Sequence, residues 1–222
     1  MDELFEIGDF DFDYNNNESN IEIANDISFS NASSTNYQII FVLDASNSMK
    51  GYKIGAVNDL VNNLISKLNS FNSSGIDISI SVIGFSSKLI RWTNGFVPIR
   101  EFSFSYIEMV DGLSDISAAL EEILRLTGEF KEESKKTICL FSDGLPTSDY
   151  RSYMERLKKT PNFAQVQKIC VSFDDDLKDE QSIEFFNSIV DSSQEIISVN
   201  QQELILSKIL EWLFKGVSND RV

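Results

Sequence analysis

The sequence contains no histidine, and it has only two cysteines, three prolines and 19 basic residues among its 222 residues. The absence of histidine removes the usual general base and the commonest transition-metal ligand. The 35 acidic residues give a formal net charge of −16, which argues against direct nucleic-acid binding because phosphate recognition needs a basic surface. These shortages leave few candidates for catalytic groups and disfavour nucleic acid as a direct partner.

Long apolar runs are also missing. No stretch of about 18 uninterrupted apolar residues is present, so we expect no transmembrane span and no membrane partner. Residues 1–6 lack the basic and apolar regions of a signal peptide. Cys139 and Cys170 each lie in an apolar, strand-like run, which favours buried thiols in a reducing compartment over a disulfide. We therefore expect a cytoplasmic protein.

Acidic residues are concentrated at the N-terminus. Residues 1–36 contain nine Asp or Glu and no Lys or Arg, and they are rich in Asn and Ser. This composition predicts an acidic, flexible leader that either stays solvated or docks through its aromatic residues. Residues 37–218 then form the one folded domain that a chain of this length supports, followed by a short tail at 219–222.

The apolar pattern beyond residue 36 alternates between strand and helix. Residues 37–43 have the composition of a buried strand, and residues 52–70 carry apolar side chains at helical spacing. Further strands are predicted at 76–82, 89–92, 136–141, 166–173 and 196–199, and further helices near 116–124, 149–159, 180–190 and 201–216. The alternation predicts an α/β fold that is doubly wound, with a mainly parallel sheet and helices on both faces. The hairpin at 76–92 predicts one antiparallel edge strand, and the alternating polar residues of 76–82 predict only one covered face.

Oxygen-bearing side chains follow three of these segments. Asp44, Ser46 and Ser48 occupy alternate positions directly after the first strand. Ser114, also a natural helix N-cap, ends a loop, and Asp143 follows the strand at 136–141. Because open α/β sheets bind ligands at the carboxyl ends of their strands, we expect these side chains to converge. Two carboxylates and three hydroxyls suit a hard cation such as Mg²⁺ and leave at least one octahedral position for water or an incoming carboxylate.

The motif Asp44-x-Ser46-x-Ser48, with Ser114 and Asp143, resembles the metal-ion-dependent adhesion site (MIDAS) of von Willebrand factor A (VWA) domains. The surrounding sequence is similar to the bacterial TerY-like branch, which is associated with tellurium resistance and other stress operons. The segments that carry this closer resemblance are DASNSMKG at 44–51, FSDGLPT at 141–147 and EWLFKGVS at 211–218. The resemblance covers residues 37–218 and implies the Rossmann-like VWA fold.

The resemblance also implies a function. The chain would be a non-enzymatic interaction module in a cytoplasmic stress-response or defence assembly, and another protein would supply an acidic side chain to the metal. Ser46 and Ser48 would bind Mg²⁺ through their hydroxyls, with Asp44 and Asp143 acting directly or through water; Mn²⁺ and Ca²⁺ are the alternative ions. Ser114 stands where the family usually has Thr, so it keeps the hydroxyl but loses the methyl group that restrains the rotamer.

Two other interpretations stay open from the sequence. One is a phosphotransferase or hydrolase that uses Asp44 as its nucleophile. Enzymes of that kind carry Asp two positions later as acid and base, where this chain has Ser46. The other interpretation keeps the VWA fold as a scaffold with no functional metal.

Overall fold

The computed structural model describes residues 36–71, 76–108 and 111–214. The acidic leader predicted at 1–36, apart from its last residue, and the tail at 219–222 lie outside the described residues.

Seven strands form one sheet in this part of the chain. They are β1 Asn36–Asp44, β2 Asp77–Phe85, β3 Leu89–Arg91, β4 Val97–Pro98, β5 Lys135–Phe141, β6 Gln167–Ser172 and β7 Ile196–Ser198. The order is β3-β2-β1-β5-β6-β7, and β4 also pairs with β2. All pairings are parallel except those of β3 and β4, which run antiparallel to β2. The predicted mainly parallel sheet with an antiparallel edge strand is confirmed, and the two-residue β4 is an addition that the sequence pattern did not indicate.

Six α-helices occur within the described ranges. They are α1 Tyr52–Ser70, α2 Ser117–Thr127, α3 Arg151–Lys158, α4 Pro161–Ala164, α5 Glu180–Ile189 and α6 Gln202–Phe214. The bounds of α1 equal the predicted ones, because its buried apolar residues recur every three or four positions, from Val57 to Leu68. No helix in these ranges is both long enough and apolar enough to cross a bilayer.

Helices cover both faces of the sheet. Ile40 and Val42 of β1 belong to a core cluster that also contains residues of α2, α3 and α5. Side chains alternate along a strand, so Ile39, Phe41 and Leu43 point to the opposite face, where α1 and α6 supply further buried apolar residues. Both faces of β1 are therefore fully buried, as expected for a central parallel strand.

The prediction that β2 has only one covered face is wrong for its second half. Ile80 and Val82 point to the face that was predicted to be covered, and both are buried. Ser81 points to the opposite face, yet it is 0% exposed as well. Its hydroxyl lies 3.1 Å from Thr93 Oγ1, and the same Thr93 oxygen accepts a hydrogen bond from Val82 N–H at 3.0 Å. The polar side chain can be buried here because a second hydroxyl satisfies it.

The two cysteines are buried free thiols, as predicted. Cys139 of β5 pairs with Ile169 of β6, whereas Cys170 pairs with Leu140. Because side chains alternate across a sheet, the two sulfurs face opposite sides and a disulfide between them is excluded. Burial raises the pKa of both thiols, so neither is poised to act as a nucleophile.

The order of the strands creates a place for a ligand at the carboxyl edge of the sheet. β1 and β5 are neighbours in the sheet. After β1 the chain crosses to β2, which flanks this pair on one side, whereas after β5 it crosses to β6, which flanks the pair on the other side. Such a reversal opens a crevice between the carboxyl ends of the two strands. Asp44 is the last residue of β1, and Asp143 follows the end of β5 by two residues.

Candidate metal centre

Three loops meet at this edge of the sheet. The first follows β1, the second precedes α2 and the third follows β5. Asn47 N–H donates to the carbonyl oxygen of Gly112 at 3.0 Å, and Thr147 N–H donates to the carbonyl oxygen of Ser114 at 2.8 Å. These backbone hydrogen bonds join the loops in pairs and bring the chain segments that carry the predicted site residues to one edge of the sheet.

Asp44 is the hub of the hydrogen bonds between these loops. Its carboxylate is 0% exposed. Oδ1 accepts from Ser46 N–H at 2.8 Å, and Oδ2 accepts from the hydroxyls of Ser142 at 2.7 Å and Ser114 at 3.3 Å. Burial raises the pKa of Asp44, and hydrogen bonds from Ser46 and Ser142 oppose that rise. Because both oxygens already accept hydrogen bonds, Asp44 is better arranged to orient hydroxyls than to contact an ion itself.

The hydroxyls of Ser46 and Ser48 lie next to each other. A short 3₁₀ turn, Asn47–Met49, follows Ser46 and brings Ser48 Oγ to 3.0 Å from Ser46 Oγ. Ligands at neighbouring corners of an octahedron with Mg–O bonds of about 2.1 Å lie about 3.0 Å apart. The spacing of the two hydroxyls therefore fits a single Mg²⁺.

Ser114 is held at the site by the loop before α2. The N-cap of α2 is Ile116, so the alternative role of Ser114 as a helix cap is wrong; its hydroxyl donates to Asp44 instead. Gly112 has φ +83°, and a Cβ there would lie 2.4 Å from Ser87 Oγ. Only glycine fits that position, and the resulting turn lets Ser87 Oγ accept from Leu113 N–H at 2.9 Å, directly before Ser114.

Asp143 carries the least satisfied polar atom of the site. It is 0% exposed, and its Oδ1 is buried without a hydrogen-bond partner among the described residues. Its Oδ2 lies 3.4 Å from the ammonium of Lys53. A buried carboxylate oxygen without a partner is unfavourable by about 1–3 kcal/mol or more, which a bound cation would offset. The orphaned oxygen and the hydroxyl pair together fit a hard divalent ion.

The candidate metal site is not a cluster of carboxylates. Within the described ranges, no three acidic, cysteine or histidine side chains are grouped so as to hold a metal ion. A metal held at this edge would depend on hydroxyl ligands, which keep the total negative charge low. Low ligand charge leaves the ion electrophilic toward an additional carboxylate.

Three residues of the site were missed by sequence reasoning. Ser142, Lys53 and Asp176 lie beside the predicted group, and the ammonium of Lys53 is 2.8 Å from Asp176 Oδ2. Asp176 had a detectable signal, since it ends the acidic run at 174–176 just beyond β6, at the same edge of the sheet. The sequence carries no such signal for Lys53, because a lysine in the first turn of a helix is usually exposed to solvent.

The family model for the von Willebrand factor type A domain matches residues 38–203 of this chain. Among solved structures, the chain is similar to the pilus adhesin SpaC from Lactobacillus rhamnosus GG in its open conformation. The TM-score is 0.64 at 13% identity, and the match covers 83% of this chain and 30% of SpaC.

Two further structures show the same fold. Proximal thread matrix protein 1 from the mussel byssus, solved with a zinc-occupied MIDAS motif, matches with a TM-score of 0.51 at 15% identity and covers 80% of this chain and 46% of that one. The ArnB paralog VWA2 from Sulfolobus acidocaldarius matches with a TM-score of 0.50 at 21% identity and covers 81% and 46%. This chain spans less than half the length of each of these three proteins, and at these identities the likeness shows the fold alone.

Proposed function

The chain belongs to the von Willebrand factor type A domain family, and on that basis we propose that it is a non-enzymatic protein-interaction module that uses a divalent metal ion, Mg²⁺ being the expected one. The observation that carries the proposal is the convergence of oxygen donors at one edge of the sheet. Ser46 Oγ and Ser48 Oγ lie 3.0 Å apart, and the partnerless Oδ1 of Asp143 is buried at the same edge.

Each residue has a proposed role at the metal. Ser46, Ser48 and Asp143 would hold the ion, Ser114 would do so through its hydroxyl, and Asp44 would act through water and orient the hydroxyls. A bound Mg²⁺ would supply a Lewis-acidic centre with one coordination position open to a carboxylate. The partner is therefore another protein that presents an acidic side chain, and Mn²⁺ or Ca²⁺ are alternative ions.

The geometry disfavours the enzymatic alternative. A nucleophilic Asp44 would need a free carboxylate oxygen facing its substrate. Asp44 is 0% exposed, and both of its oxygens accept hydrogen bonds from within the chain. Ser46 stands where an acid and base would be required, so interaction is the function that we propose.

We place the module in the cytoplasm, in a bacterial stress-response or defence assembly of the TerY-like kind. The support is the resemblance of the motif segments at 44–51 and 141–147, together with the free thiols of Cys139 and Cys170, which suit a reducing compartment. The test is chelator-sensitive recovery of the chain with the products of neighbouring genes. Recovery that is unaffected by chelator would contradict this assignment.

The metal role is tested with neighbouring residues of one loop. Ser48 and Asn47 are both exposed, and only Ser48 offers a proposed ligand, so Ser48→Ala is compared with Asn47→Ala. We expect Mn²⁺ binding, measured by calorimetry, to weaken about tenfold or more in Ser48→Ala and less than about twofold in Asn47→Ala. Equal affinities in the two variants would contradict the proposed ligand set.

Carboxylate binding is tested on the Mn²⁺-loaded protein with N-acetylglutamate amide as the probe. With wild-type protein in excess over Mn²⁺, so that the ion is protein-bound, Mn²⁺ should broaden the ¹³C resonance of the probe's side-chain carboxylate, and the metal-free protein should not. Absence of broadening in a wild type that binds Mn²⁺ would contradict the interaction mode while leaving the metal site intact.

A further inference from the structure

The ammonium of Lys53 is shared between two acidic side chains from different loops. It lies 3.4 Å from Asp143 Oδ2, and it lies 2.8 Å from Oδ2 and 3.0 Å from Oδ1 of Asp176. The side chains of Lys53, Asp143 and Asp176 are 16%, 0% and 15% exposed. This ion-paired group is therefore mostly withdrawn from solvent, where charges interact more strongly than at a surface.

The surroundings fix the lysine in this place. Lys53 lies in the first turn of α1, and its ammonium is 5.2 Å from the centre of the Phe173 ring. Asp176 begins a 3₁₀ turn, Asp176–Lys178, that follows β6. With two carboxylates at ion-pair distance, Lys53 is a cation beside Asp143.

We propose that Lys53 and Asp176 set the metal affinity of this site: Lys53 competes with the divalent ion for the carboxylate of Asp143, and Asp176, the nearer partner of the ammonium, retains it when the ion binds. The inference rests on the proposed function, because it requires Asp143 to hold a metal. A divalent ion at Asp143 repels an ammonium 3.4 Å from the same carboxylate. Because the ammonium already lies closer to Asp176, it can keep that ion pair while it loses its contact with Asp143.

Asp176 is in this account a positioning residue. It lowers the free-energy cost of metal binding because the ammonium keeps its ion pair with Asp176 when the metal takes the carboxylate of Asp143. Without Asp176, Lys53 would have Asp143 as its only acidic partner in the group, and the metal would have to break that pair. The two residues should therefore change metal affinity in opposite directions.

The effect of Lys53 is measured with Mn²⁺ by isothermal titration calorimetry. Lys53→Met removes the competing charge, and Lys50→Met, an exposed lysine three residues earlier, removes the same charge outside the ion-paired group. We expect Lys53→Met to bind Mn²⁺ about tenfold more tightly than the wild type and Lys50→Met to differ by less than about twofold. Equal affinities of the two variants would overturn the proposal.

The effect of Asp176 is measured against its neighbour. Asp175 is 84% exposed, so Asp175→Asn makes the same charge change away from Lys53. We expect Asp176→Asn to weaken Mn²⁺ binding about fivefold and Asp175→Asn to weaken it less than about twofold. In the Lys53→Met background the effect of Asp176→Asn should vanish, because Asp176 acts through the lysine. An undiminished loss in that background would show that Asp176 acts on the metal itself and would overturn the proposal.

Nuclear magnetic resonance of the lysine ammonium groups supplies an independent readout. The ¹⁵Nζ resonance of Lys53, assigned by its loss in Lys53→Met, should shift when Mg²⁺ is added, and the shift should be absent in Ser48→Ala. If neither wild type nor Ser48→Ala binds metal, the proposed function fails. If the wild type binds metal through Ser48 but Lys53→Met behaves as Lys50→Met does, only the present inference fails.

Discussion

Two buried acidic positions in this molecule are neutralised in contrasting ways. Glu122 on α2 is 5% exposed, and its carboxylate oxygens lie 2.6 Å from the guanidinium of Arg91 and 2.7 Å from that of Arg125. The hydrogen bond from Arg91 is the main reason that the pKa of Glu122 falls to about 2. At the carboxyl edge, by contrast, burial raises the pKa of Asp44, whose partners are hydroxyls and one amide, and Asp143 shares a single lysine with Asp176.

The contrast separates a structural carboxylate from one suited to bind a cation. Two guanidinium groups satisfy Glu122 within the chain, so no further positive charge is needed there. The carboxyl edge keeps negative charge that hydroxyl dipoles and one lysine compensate only in part. A divalent ion could supply the missing positive charge at the carboxyl edge of the sheet, whereas Glu122 needs no further cation.

The largest expected effect concerns the response to metal. Asp143→Asn should abolish the stabilisation by Mg²⁺, whereas Glu122→Gln should retain it even though the variant is less stable overall. A ligand present at a hundred times its dissociation constant stabilises the folded state by about 2.7 kcal/mol. Urea unfolding with Mg²⁺ and with EDTA measures this difference. A full Mg²⁺ response in Asp143→Asn would remove the distinction between the two positions.

A second substitution disturbs the geometry of the edge without removing any oxygen-donor residue. Gly144 has φ +82°, and a Cβ there would lie 2.7 Å from the Phe186 ring, so Gly144→Ala should destabilise the protein by about 2 kcal/mol and displace Asp143. Gly55→Ala is the control, since Gly55 lies within α1 and a Cβ there meets nothing within 4 Å. It should stabilise the protein by about 0.5–1 kcal/mol. Urea unfolding measures the stabilities of the two variants. Equal stabilities of Gly144→Ala and Gly55→Ala would contradict this prediction.

Because of Glu122, the free energy of unfolding should depend on pH in the acidic range. Its folded pKa of about 2 lies below the ordinary 4.5, so its contribution is present above pH 4.5 and is lost as the pH falls toward 2. Glu122→Gln should cost on the order of 1–2 kcal/mol at pH 7, because the partly exposed arginines are screened by solvent. Urea unfolding at pH 7 and pH 3 should show the gap between wild type and variant shrinking with acid. A gap that is constant with pH would mean that packing, and not charge, explains the loss.

The smallest effect is expected at Asp44, and it has the opposite sign. Its folded pKa is raised, so ionisation opposes folding and stability from this group falls as the pH rises through that pKa. Asp44→Asn in EDTA at pH 7 should therefore be as stable as the wild type or more stable by up to about 1 kcal/mol, since the hydroxyls of Ser114 and Ser142 can reverse their hydrogen bonds. Urea unfolding measures the change, and a loss of more than about 1 kcal/mol would contradict this account.

Local sequence patterns predicted the framework of the fold and the group of loops at its edge. The spacing of apolar residues predicted the bounds of α1, and alternate oxygen donors after β1 predicted that Ser46 and Ser48 lie together. Both of these predictions rest on residues that are close to one another in the sequence. The roles of these residues as metal ligands remain predictions.

The features that were missed depend on contacts distant in sequence. Lys53 is 90 residues from Asp143 and 123 from Asp176, so no local pattern indicates their ion pairs. Ser114 was a plausible helix cap by spacing, but a carboxylate 70 residues away takes its hydroxyl. Ser81 was placed on an uncovered face because the pattern could not include Thr93.

The central claim is that the carboxyl edge of the sheet binds a divalent ion through Ser46, Ser48 and Asp143. A crystal structure of the protein in saturating Mn²⁺, with anomalous difference density recorded at the manganese edge, tests it most directly. The account predicts one strong peak at about 2.2 Å from both hydroxyls and within coordination distance of Asp143. Absence of a peak there, or a peak held only by the acidic run at 174–176, would contradict it.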